Sequence, residues 1–134
     1  MATWVCRIMG AAFLIIALLG FMDGRQVFIF HVNTTHNVVH LLSGALALWV
    51  GFTSERASRM FSAVFGAGYG LVALLGFAGV ERIIDLLRLN AADNWLHLAI
   101  AAVFLVAAIV SAGAQMPRRP APPTTPPTPA APAM

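Results

Sequence analysis

Residues 10–21 read GAAFLIIALLGF, and residues 66–77 read GAGYGLVALLGF. The five residues ALLGF recur unchanged at an offset of 56. Each run is followed by a second, polar-headed one. NTTHNVVHL (33–41) aligns with NAADNWLHL (90–98) at an offset of 57. Asn33, Asn37, His40 and Leu41 thereby match Asn90, Asn94, His97 and Leu98. An apolar run followed by a polar-headed apolar run therefore occurs twice, which predicts two tandem copies of a helix hairpin.

Four apolar segments result, at about 3–22, 35–52, 60–80 and 93–114, none interrupted by proline. About 20 residues at 1.5 Å each cross a hydrocarbon core of about 30 Å. Composition agrees. Of 134 residues, 60% are hydrophobic and 10% charged, against about 25% charged in ordinary globular domains. Mean hydropathy is +0.84. Such a chain has too little polar surface for a water-soluble fold, which excludes a soluble enzyme. The expected fold is an all-α integral membrane protein, a four-transmembrane-helix bundle built from two tandem helix hairpins. Repeat one covers about 5–55 and repeat two about 60–114, within a domain of residues 1–114. All eight prolines fall between 117 and 132, so residues 115–134 are expected to be a disordered, polyproline-like tail.

The first span has the look of a signal peptide, with Arg7 before an apolar run. However, no small-x-small site follows it, since the chain continues GFMDGRQ. It also has an internal copy, which a signal peptide has no reason to have. A two-span unit puts both copies in one orientation, related by a pseudo-two-fold axis along the membrane normal. Arg7, Arg56, Arg59, Arg118 and Arg119 fall on one side and Arg25, Arg82 and Arg88 on the other. That bias places both termini in the cytoplasm. Eight Arg and no Lys, with abundant Ala, Gly and Pro, point to a GC-rich bacterium and hence to its cytoplasmic (inner) membrane. The arginines form no stripe with interleaved aromatics, so no nucleic-acid partner is expected. The expected partners are the lipid bilayer and other membrane subunits. Cys6 alone makes neither a disulfide nor a thiolate metal site and reads as a small buried residue.

The outer connections are not simple turns. Residues 23–32 contain Val27, Phe28, Ile29 and Phe30, and residues 81–89 (ERIIDLLRL) form an amphipathic turn of helix. Together they suit a lid over the outer end of the bundle. Residues 55–59 (ERASR) read as a solvated cytoplasmic loop. Trp4, Trp49 and Trp95 fall near span ends, as in an aromatic belt. Gly66-x-x-x-Gly70 permits close helix contact within the chain. His31 falls in a loop and faces water.

Asn90 and Asp93 have the spacing of a capping box, and Asn33 with His36 occupies the same frame. Positions i, i+4 and i+7 of a helix share a face. Asn33, Asn37 and His40 thus form a polar stripe, and Asn90, Asn94 and His97 its twin. His40 and His97 lie about 10 Å below the caps, where polar groups face the bundle interior rather than lipid. One reading is structural: the stripes pack spans two and four in a non-enzymatic structural or accessory membrane subunit that needs no cofactor. Hydrogen bonds of this kind average about 0.6 kcal/mol and set register. The alternative is ligation. His36 and His40 are four residues apart, as are Asp93 and His97, a spacing that lets two side chains of one helix reach one ion. Three imidazoles and a carboxylate suit zinc or iron. His40 and His97 could also serve as axial ligands of a haem. A metal or haem would imply a redox or sensory protein. A third reading, a small-solute or proton transporter, lacks the discontinuous helices or midplane ionisable groups such proteins use. No nucleophile–base pair is apparent.

The motifs His36-Asn-Val-Val-His-Leu41 and Asp93-Asn-Trp-Leu-His-Leu98, in a short four-span chain, resemble a bacterial family catalogued as domain of unknown function 4383. The resemblance covers about residues 5 to 114. It implies a four-helix integral membrane protein and no established activity.

Overall fold

The computed structural model describes residues 1–113. The expected proline-rich tail at 115–134 lies outside the described residues. The chain forms helices α1 (Ala2–Asp23), α2 (Thr34–Thr53), α3 (Glu55–Phe77), α4 (Glu81–Leu87) and α5 (Ala91–Gly113). Strands β1 (Gln26–Val27) and β2 (Phe30–His31) make a small antiparallel hairpin between α1 and α2.

Local chemistry sets the boundaries. Helix α1 ends at Gly24, whose φ of 81° only glycine adopts freely, and the Gly24 N–H donates to the Gly20 carbonyl at 2.9 Å. Ser54 alone joins α2 to α3, and its hydroxyl accepts the Ala57 N–H at 3.1 Å. The run 55–59, expected as a loop, is therefore the first turn of α3. The Ser54 cap and the acidic Glu55 beside the helix N-terminus favour that start. Ser58 in this turn is fully buried and donates to the Val50 carbonyl at 2.9 Å. The amphipathic segment after α3 forms α4 as expected, and it ends at Arg88 in the left-handed region.

Helices α1, α3 and α5 are each long and apolar enough to cross a membrane. Helix α2 has a similar length, but its first two turns hold Thr34, Thr35, His36, Asn37 and His40. By length and composition, three of the four expected spans therefore qualify, and three apolar helices suggest a membrane protein. The exposed faces agree: Ile8, Leu18, Trp49, Leu74 and Ile109 all point outward.

The helices pack most extensively in two pairs, α1 with α2 and α3 with α5. Small residues permit this. A Cβ on Gly10 would come within 2.9 Å of the Gly44 carbonyl oxygen and of Leu48, and one on Gly66 within 2.8 Å of Leu105. Leu48 and Leu105 are 57 residues apart, at matching places in the two sequence copies. Phe13, Tyr69 and Phe104 fill the centre, with Phe13 stacked on Tyr69 at 5.3 Å.

Candidate functional site

The candidate site is built from the heads of α2 and α5. Asn33 caps α2 by accepting the His36 N–H at 2.8 Å. Asn90 accepts the Asp93 N–H at 2.9 Å, and Asp93 Oδ2 accepts the Asn90 N–H at 2.8 Å, closing a capping box. These caps were legible in the sequence. Their second function was not. Asn33 Nδ2 donates to the Leu86 carbonyl at 3.0 Å, and Asn90 Nδ2 donates to the Ile29 carbonyl at 2.9 Å. Leu86 lies 57 residues after Ile29. Asn33 therefore ties down the α3–α5 connection and Asn90 the α1–α2 connection, each half of the chain holding the other's. Asp93 Oδ2 also accepts the His31 N–H at 3.2 Å, while the His31 side chain is exposed.

One turn deeper, Asn37 and Asn94 are buried. Asn37 rests against Gly20 and Asn94 against Gly76, so closely that a Cβ on either glycine would collide with the amide. This explains the glycine of the repeated ALLGF, which sequence reasoning did not attach to the site.

Beside the asparagines, His36, His40 and His97 come together, 2%, 4% and 3% exposed. Ring centroids are 4.5 Å apart for His36 and His40, 5.6 Å for His36 and His97, and 6.4 Å for His40 and His97. One ligand nitrogen from each lies within 4.8 Å of the others. Among the described residues, both nitrogens of His36, both of His40 and Nδ1 of His97 make no hydrogen bond of normal geometry. The backbone of His31 and Leu87 flanks His36 without closing one. Phe13 stacks on His40 at 5.4 Å, and Tyr69 tilts against His97 at 5.4 Å. The structure thus gathers three of the four proposed metal ligands. Asp93, also buried, is not among the groups whose ligand atoms fall within 4.8 Å, because its carboxylate is turned to the caps.

Two cavities meet this cluster, and all three histidines line both. One of about 280 Å³ lies between α2 and α3, with Ser43, Gly68 and Tyr69 also in its wall. The other, about 220 Å³, lies under the β1–β2 hairpin and reaches Asp93. Sequence reasoning missed Gly68 and Tyr69. The one available signal was that tyrosine stands where the first copy has Phe13.

No curated protein and no solved structure matches the chain. A family profile does: residues 3–110 match the one described as Domain of unknown function (DUF4383), and the chain belongs to that family.

Proposed function

We propose that this is a non-enzymatic, four-span protein of the bacterial inner membrane whose core binds one transition-metal ion through His36, His40 and His97. One observation carries the reading: three clustered, buried imidazoles, five of whose six ring nitrogens make no hydrogen bond of normal geometry. A buried donor or acceptor left unmade costs about 1–3 kcal/mol. Coordination would take up one nitrogen from each ring together. Imidazole suits zinc, copper and iron, and a three-histidine site leaves a fourth position open. Tetrahedral zinc–nitrogen bonds put ligand nitrogens about 3.3 Å apart, within side-chain adjustment of the 4.8 Å limit found here. The buried carboxylate of Asp93 supplies nearby negative charge to offset a cation in an apolar interior. A haem is disfavoured, because the His36 ring, close to both His40 and His97, fills space the macrocycle would need.

The fourth span is α2. Its polar residues His36, Asn37, His40 and Ser43 are buried, while Val38, Val39, Leu42, Leu46 and Trp49 face outward. Its outer face is therefore as apolar as lipid requires, whatever its overall composition. The arginine bias keeps both termini cytoplasmic. The role that follows is redox or sensory, with the ion as the responsive element.

The test is elemental analysis of detergent-purified protein after zinc loading and dialysis, with cobalt substitution as an optical probe. The expected result is about one ion per chain and intense visible cobalt bands, both lost in His40→Ala and His97→Ala while helicity remains. A folded, metal-free protein after loading would overturn the metal centre. The histidines would then be packing groups in an accessory subunit.

A further inference from the structure

The two halves differ at one seam. The cavity of about 280 Å³ lies between α2 and α3. Its mouth is at the surface, where Val39 and Val64 are exposed, and a Cβ on Gly68 would meet nothing within 4 Å. Its base is buried, and the three histidines and Tyr69, which is 7% exposed, line it. The Tyr69 hydroxyl, beside Ser43, makes no hydrogen bond of normal geometry. At the sequence offsets of 56 and 57, Gly68, Tyr69 and Ser43 correspond to Ala12, Phe13 and Ile100. The α2–α3 seam thus carries a gap and two hydroxyls where the equivalent α1–α5 seam carries apolar bulk.

We propose that this cavity binds the head of a lipophilic carbonyl compound of the quinone class, entering sideways from the bilayer. The chemistry of the base selects the head. A tyrosine hydroxyl donates, and each neutral imidazole carries one N–H, so the base offers donors that call for carbonyl acceptors. The walls select the body. They are apolar apart from Ser43 and the basal groups. The volume sits at the lower end of small-molecule sites, about 300–1,000 Å³, so it holds a single ring and leaves an alkyl tail in lipid. A phospholipid acyl chain would also fit the walls but would leave every basal donor unpaired. The proposal goes beyond the metal centre and does not depend on it, since the Tyr69 hydroxyl and the outer imidazole N–H groups remain as donors with or without an ion.

The test uses the full chain in phosphatidylcholine nanodiscs and a radiolabelled decyl-benzoquinone. Retention is measured against protein-free nanodiscs, in EDTA-treated and zinc-loaded samples. The expected result is one quinone per chain above the partition background in both samples. Tyr69→Phe weakens retention about five- to tenfold, and Gly68→Leu abolishes it. Zinc uptake measured in the same Gly68→Leu sample reports the metal centre separately and stays unchanged. Should Gly68→Leu fail to fold, Val64→Trp blocks the mouth instead. Retention equal to the background, or unaffected by both blocking variants, would overturn the proposal. So would competition by decane as effective as by unlabelled quinone, which would identify an acyl chain as the occupant.

Discussion

Gly20 and Gly68 are both helical glycines, yet the same substitution should act on them with opposite sign. At Gly68 an added methyl meets open space. Gly68→Ala therefore gains only the helix-propensity difference, about 0.8–1 kcal/mol of stabilisation. At Gly20 the methyl collides with the buried Asn37 amide. Overpacking of this kind costs about 1–3 kcal/mol, and the helix gain in the last turn of α1 offsets at most about 1 kcal/mol of it. Gly20→Ala should then lie about 1–3 kcal/mol below Gly68→Ala. The assay is reversible unfolding in mixed micelles titrated with dodecyl sulfate, followed by far-ultraviolet circular dichroism. A double-mutant cycle sharpens it. In an Asn37→Ala background the amide is gone, so Gly20→Ala becomes close to neutral and the coupling energy exceeds about 1 kcal/mol. Gly20→Ala as stable as Gly68→Ala, or coupling within the roughly 0.5 kcal/mol typical of independent sites, would refute the close approach of α1 to Asn37.

The reciprocal asparagine bonds predict a crosswise effect. Asn33→Ala loses a cap worth about 1 kcal/mol and a bond to Leu86 worth about 0.5–1.5 kcal/mol. Hydrogen exchange should therefore accelerate in α4, whereas Asn90→Ala should loosen the β1–β2 hairpin. Loosening confined to the mutated half would contradict the bonding pattern. The assignment of α2 as a span predicts that its ends are labelled from opposite sides. In a Cys6→Ser background, an impermeant maleimide should reach Arg25→Cys in intact cells and Arg56→Cys only after lysis. Labelling of both from one side would remove α2 from the membrane.

What could be read from the sequence was what is local. The Asn33 and Asn90 caps depend on residues three apart, and the lengths of α1, α2 and α5 follow from proline-free, mostly apolar runs. The start of α3 was misplaced because ERASR looks solvated by composition, although Ser54 before it supplies a cap. The β1–β2 hairpin carried no turn signal at all. Its tip is Phe28 and Ile29, and Phe28 has a φ of 56°, which aromatic residues rarely adopt. The pairing of His36 with His97 joins residues 61 positions apart. Periodicity placed each on an inward face but not which faces meet. Gly20 and Gly76 were visible as a repeated motif, but the motif did not say which side chain they accommodate.

The crossed bonds of Asn33 to Leu86 and Asn90 to Ile29 also bear on how such a chain is made. While only the first hairpin has left the ribosome, Asn33 has no Leu86 to bind and Ile29 no Asn90. The α1–α2 connection is then unfinished, and it closes only after α4 and the head of α5 have been made. The same reciprocity bears on symmetry. Two separate copies of one hairpin around a true two-fold axis would satisfy both bonds with no link between them. Joining the copies through the single residue Ser54 removes the need for identity. One half is then free to carry His36 and Tyr69's counterpart Phe13 while the other carries Asp93 and Tyr69.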